Sequence, residues 1–112
     1  MGEMGWQTNL SIALELAKNN NKVLFIFFHG TGCKACAEME KTTFTEEKAQ
    51  EFVNKHFVPV HFRADRKPAQ FLRFNVAETP TYIILDTGGN EMHRLSGYLS
   101  AEDFIEKLAK AI

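Results

Sequence analysis

Gly30-Thr31-Gly32-Cys33-Lys34-Ala35-Cys36, directly after the apolar run Val23-Leu24-Phe25-Ile26-Phe27-Phe28, is the stretch on which this chain's reading turns. Cys33 and Cys36 are the only cysteines in its 112 residues. Three positions apart, they share one face of a helix that starts at Cys33. The run before them is apolar on both faces, as a central strand covered by helices on both sides reads. Open α/β sheets place their sites at the carboxyl end of such a strand. A thiol at a helix start meets free backbone N–H groups and the positive end of the helix dipole, which favour its thiolate. Cys36, one turn deeper, is suited to attack a mixed disulfide formed on Cys33. The pair reads as a redox couple.

Two other uses of the pair fit less well. A structural cross-link gains little, because a four-residue loop hardly restrains an unfolded chain. Zinc or an iron–sulfur centre needs further ligands, and His29, His56, His61 and His93 are scattered rather than spaced as a second pair. No metal and no cofactor is expected.

The length suits one domain, residues 1–112, with one buried core. A composition of 45% hydrophobic and 24% charged residues belongs to a folded chain. A net charge of −1 points to neither nucleic acid nor a membrane surface as partner. The longest apolar run, 23–28, is far too short to span a bilayer. The first residues lack the basic and apolar regions of a signal peptide, and Trp6 stands where a myristoylation signal wants Ser or Thr. The expected location is cytoplasmic as the chain stands; the alternative is periplasmic or otherwise extracytoplasmic, with a signal already removed. Residues 1–5 are expected to be disordered or an appended leader, and a monomer is the default.

In chain order, Leu10, Ala13, Leu14 and Ala17 give a helix from about Gln7 to Lys18, with Trp6 as an apolar staple onto it. After the 23–28 strand, a helix runs from Lys34 to about Thr42. Thr45 can cap a second helical segment carrying Ala49, Phe52 and Val53, with His56 at its end. Phe57 to Asp65 reads as a strand that Pro59 marks as an edge. Pro68 starts a short helix, which Asn75 stops in a left-handed conformation. Thr81–Leu85 and Glu91–Gly97 flank Asp86-Thr87-Gly88-Gly89-Asn90 as a β-hairpin. Ser100 caps a last helix with Phe104, Leu108 and Ile112 on its apolar face. The order is α-β-α-β-α-β-β-α, a single α/β domain.

These residues resemble the thioredoxin superfamily. Beyond the cysteine pair, Phe74-Asn75-Val76-Ala77-Glu78-Thr79-Pro80-Thr81 resembles the family's aromatic-Gly-Val/Ile-x-x-x-Pro-Thr segment, whose proline is cis and faces the cysteines. Gly97 matches the glycine that lets a partner chain approach. Residues 36–44 and 54–60 are similar to small thioredoxin-like domains of the kind found at the C-terminus of the disulfide-interchange reductase DsbD. The resemblance implies a thioredoxin fold: a four-stranded mixed sheet with helices on both faces and an N-terminal helix in place of the extra first strand.

The chain departs from the family pattern behind the cysteines. Phe27 stands where a buried aspartate is usual, His61 at the matching lysine position, Gly32 in place of tryptophan, and Lys34-Ala35 in place of Gly-Pro. Glu40, one turn beyond Cys36, is then the candidate proton acceptor, as the glutamate at the matching position of the DsbD-like domain implies. His29 reads first as a packed strand-end histidine; protonated near neutral pH, it would instead favour the Cys33 thiolate, and Lys34 adds positive charge there. His61 would face the core beneath the site.

The expected function is thiol–disulfide exchange on protein disulfides, with reduction favoured and an unidentified electron donor. Cys33 attacks and Cys36 resolves, aided by Glu40. Thr79 offers its backbone to the partner as an added strand, Pro80 keeps metals off the thiols, and Gly32, Lys34 and Gly97 border the substrate. The alternative is a redox-inactive binding or chaperone module, and a third class is a metal carrier.

Overall fold

A strand apolar on both faces needs a cover on each side, and β1 (Val23–His29) has one: its last six residues are buried. Successive side chains alternate between two cores. Phe25 and Phe27 pack with Met39, Phe44, Phe57, Tyr82 and Phe104, while Leu24, Ile26 and Phe28 pack with Leu10, Ala13, Val60 and Ile83. The computed structural model describes residues 4–112.

β2 (Phe57–Arg63) runs parallel to β1, with Phe27 opposite His61 and His29 opposite Arg63. β3 (Thr81–Leu85) lies antiparallel on the other side of β1, and β4 (Glu91–Ser96) completes the order β2-β1-β3-β4. On the Phe25 and Phe27 face lie α2 (Lys34–Lys41), a 3-10 turn at Thr43–Thr45, α3 (Glu47–His56) and α5 (Ala101–Ala109). On the opposite face lies α1 (Leu10–Asn19), with Phe71 of the short α4 (Pro68–Arg73). This is the expected mixed four-stranded sheet with helices on both faces and a helix before its first strand.

Four local expectations are corrected. α1 starts at Leu10, where the Asn9 side chain accepts from the Ile12 N–H at 2.9 Å. Gln7 instead pairs with the edge of β2: its N–H donates to Pro59 O at 2.8 Å, and its carbonyl accepts from the His61 N–H at 3.0 Å. Trp6 packs against Phe27, Phe44 and His61, in the core on the far side of the sheet from α1, so it is no staple for that helix. Thr45 does not cap α3, because its hydroxyl donates back to Lys41 O and Thr42 O; Glu46 holds the cap position with no side-chain bond. Ile112 is 53% exposed, leaving Ala101, Phe104 and Leu108 as the buried face of α5.

Met4, within the stretch 1–5, is fully buried in the core that holds Phe25. Residues 1–3 of that stretch, expected to be disordered or an appended leader, lie outside the described residues. Elsewhere the local chemistry acts as read. Asn75 takes a φ of 54° after α4, and the Ser100 hydroxyl accepts from the Asp103 N–H at the start of α5.

Candidate active site

Gly32 holds a φ of 74°, a left-handed turn that a side chain resists, and it swings the chain from β1 into α2. Cys33 is then the N-cap of α2, in an extended conformation, with its sulfur accepting from the Cys36 N–H at 3.2 Å. The two cysteines form a disulfide across a Cα–Cα distance of 5.2 Å. Cys33 is half-buried and Cys36 only 2% exposed, so one sulfur is open to a partner and the other is shielded. Lys34 is exposed beside them. A shallow cavity over the pair is bordered by Gly30, Gly32, Lys34, Ala37 and Glu40.

The loop before β3 comes to the same end of the sheet. The Thr79–Pro80 peptide is cis, and a Cβ on Gly30 would sit 3.9 Å from the Thr79 hydroxyl. The Gly97 N–H donates to Pro80 O at 3.1 Å, and Gly97 O accepts from the Tyr82 hydroxyl at 2.8 Å. Residues 98 and 99 fix α2 from the same side: Leu99 N–H reaches the Met39 sulfur at 3.4 Å, and the Thr42 and Tyr98 hydroxyls lie 3.1 Å apart. The redox helix, the cis-proline loop and the Gly97 turn are therefore tied into one end of the molecule.

Behind the cysteines, Phe27 is fully buried, its ring 4.8 Å from His29, 5.0 Å from Phe44 and 5.7 Å from Tyr82. Nε2 of His29 lies 3.0 Å from Nδ1 of His61. Burial, and then the neighbouring His61 and Arg63, push His29 down to about 4, with Asp65 opposing. Burial lowers His61 as well. His29 is thus uncharged at neutral pH: it is the packed strand-end histidine of the first reading and puts no charge beside Cys33.

Glu40 is half-buried, and burial holds its carboxyl above the ordinary value. It borders the cysteine cavity and also a second one of about 460 Å³, which His29 and His61 line. Arg63, Arg66 and Lys67 complete that second cavity with Thr8. Sequence reasoning missed these cations, although the basic stretch 63–67 following β2 was the available signal. Among the described residues no three His, Cys, Asp or Glu side chains are grouped as a metal site requires, and no helix is long and apolar enough to cross a membrane.

The family model for the thioredoxin-like domain matches residues 10–112. The chain belongs to the thioredoxin-like domain family. Its relatives include the thiol:disulfide interchange protein DsbD of Tatumella citrea, 31% identical over 101 residues and covering 86% of this chain. DsbD of Haemophilus influenzae is 33% identical over 101 residues and covers 83% of it. The chain spans only 18% and 17% of the length of these two proteins. Among solved structures it is similar to the DsbH oxidoreductase, with a TM-score of 0.83, 19% identity and coverage of 95% of this chain and 82% of that one. It is also similar to the oxidised C-terminal domain of Neisseria meningitidis DsbD, with a TM-score of 0.76, 19% identity and coverage of 96% and 99%. The likeness to DsbD read from residues 36–44 and 54–60 agrees with these matches.

Proposed function

We propose that this thioredoxin-like domain reduces protein disulfides by thiol–disulfide exchange. The observation that carries the reading is the disulfide joining a half-exposed sulfur at the N-cap of α2 to a buried one within it. In the reduced protein, the Cys33 thiolate attacks one sulfur of the substrate disulfide. The substrate S–S bond breaks, and its other sulfur leaves as a thiolate that takes up a proton. Cys36 then gives up its proton to Glu40, directly or through water, and attacks the Cys33 sulfur of the mixed disulfide. The second substrate thiol is released, and the electron pair has passed from the Cys33–Cys36 dithiol to the substrate. A dithiol donor, itself oxidised in the process, restores the pair.

The surroundings support this assignment of roles. Glu40 borders the cysteine cavity, and burial makes it a better proton acceptor than an ordinary glutamate. The approach of Thr79 to Gly30 and the Gly97–Pro80 hydrogen bond support a role for the Thr79 backbone in pairing with an extended substrate, and Gly32 and Lys34 border the attacking sulfur.

The reducing direction has its own support. Strong oxidants of this kind owe their potential to a stabilised thiolate in the reduced form. Here Phe27 and an uncharged histidine pair add no charge behind the cysteines, and beside Cys33 stand the start of the short α2 and an exposed Lys34. For location, the likeness to a thiol:disulfide interchange protein favours the extracytoplasmic alternative over the cytoplasmic one, since disulfide substrates persist in oxidising compartments.

The test is the reduction potential, read by alkylating free thiols after equilibration in defined dithiol–disulfide buffers. A two-electron transition near about −270 mV is expected. One near about −120 to −180 mV would make the protein an oxidant or isomerase. A pair that never cycles would leave a binding module.

A further inference from the structure

We propose that the cavity bordered by Glu40, the His29–His61 pair and the cations Arg63, Arg66 and Lys67 is a specificity subsite. It takes the carboxylate of an acidic residue flanking the substrate's disulfide. The inference rests on the reductase reading above and names the substrates it favours.

Position comes first. Glu40 borders this cavity and the one over the cysteines, so the two adjoin. An extended peptide advances about 3.3 Å per residue, which puts the occupant only a few residues from the sulfur that Cys33 attacks. At about 460 Å³ the cavity has room for an acidic side chain with its backbone.

Charge comes second. In a chain of net charge −1, three cations meet around one carboxyl. Arg63 is already engaged, its guanidinium bonded twice to Asp65 at 2.6 and 2.9 Å. Arg66 contributes to the field on Asp65, yet neither it nor Lys67 forms an ion pair among the described residues. Both are exposed. The cavity thus carries more positive charge than its own carboxylates use.

The buried part adds a donor without adding a charge. Each neutral imidazole has one N–H and one bare nitrogen. The bond between His29 Nε2 and His61 Nδ1 uses one of each, so the pair keeps one N–H and one bare nitrogen whichever tautomer it holds. A carboxylate, which only accepts, is matched to that remaining N–H and to the cations. The remaining bare nitrogen accepts equally well from a lysine or arginine, so it is the cations that turn such a side chain away.

The experiment uses the intact protein and three disulfide-bridged peptides that differ only in Glu, Gln or Lys two residues from the cysteine. With dithiothreitol as donor, kcat/KM for the Glu peptide should exceed that for Gln by about three- to fivefold, the size of one exposed ion pair. The ratio should shrink in high salt. Arg66→Gln with Lys67→Gln should bring it near one, and Arg66→Glu with Lys67→Glu should make the Lys peptide the better substrate. Equal rates for Glu and Gln in the unaltered protein at low salt would overturn the subsite while leaving the reductase reading intact. A preference that survives charge reversal would overturn it too. Oxidised glutathione and its ethyl ester form a further arm: a carboxylate preference there and none among the peptides would overturn the peptide assignment in favour of a small acidic disulfide. If no disulfide is reduced at all, the reductase reading itself fails and the subsite with it.

Discussion

His29 and His61 share a hydrogen bond of 3.0 Å between Nε2 and Nδ1, across the parallel β1–β2 pair. The ring of His29 also stacks on Phe27 at 4.8 Å. Behind the cysteines this chain thus keeps two neutral imidazoles at the border of a cavity. That choice has a measurable cost in acid.

Folded His29 takes up its proton only near about pH 4, whereas an unfolded histidine does so near 6.5. Between those values the unfolded chain binds more protons, so stability rises with pH across that window. The contribution is fully present above 6.5 and gone below about 4. With allowance for solvent reaching part of the ring, it amounts to about 2 kcal/mol. Urea midpoints followed from acid to neutral pH should show this rise. His29→Phe should flatten it, leaving a smaller slope of the same sign from His61.

Glu40→Gln removes the proposed proton acceptor while keeping its shape. Resolution of the mixed disulfide, followed by acid quench and mass spectrometry, should slow by about ten- to a hundredfold at neutral pH. Attack by Cys33 should keep its rate. Raising the pH should restore much of the lost rate, because solvent then deprotonates Cys36 unaided. An unchanged resolving step would remove Glu40 from the mechanism.

Exchange of either sulfur separates the two cysteine roles. Cys33→Ser should abolish turnover, since the half-exposed N-cap sulfur is the one a substrate can reach. Cys36→Ser should accumulate mixed disulfides that survive non-reducing electrophoresis. Mixed disulfides on Cys36 in the first variant would reverse the assignment.

Phe104 is fully buried, with ring centroids 5.3 Å from Phe25, 5.5 Å from Phe44 and 6.3 Å from Tyr82. Phe104→Ala should cost about 3–5 kcal/mol, read as a lower urea midpoint. Leu72→Ala, at a residue 83% exposed, should stay within about 0.5 kcal/mol of the unaltered protein.

Much of this arrangement was legible in the sequence, and the exceptions share a cause. The strand around Phe25–Phe28 announced itself because burial on both faces leaves no polar alternation. The hairpin at Asp86–Asn90 followed from turn chemistry, and Ser100 from the needs of a helix start. Trp6 and Gln7 were misread, and the contact between His29 and His61 was not foreseen, because their partners lie far along the chain. Only the register of β1 on β2, with Phe27 opposite His61, brings His29 to His61 and Trp6 to both Phe27 and His61. The same holds for Arg63, Arg66 and Lys67, whose gathering beside Glu40 shows only once β2 delivers them there. Thr45 failed for a local reason, since two nearby carbonyls took its hydroxyl first.

The bridge at Gln7 bears on which strand borders stay open to pairing. An uncovered strand invites any passing backbone to pair with it. Gln7 occupies the middle of the β2 border with two hydrogen bonds, and Pro59 has no N–H to offer there. At the opposite border, β4 carries Glu91 and Arg94 paired to each other on an exposed surface. With both flanks discouraged, the proposed pairing at Thr79, on the loop that meets Gly30, has little competition from the sheet borders. On that proposal, a visiting chain that finds a place to dock has already found the chemistry.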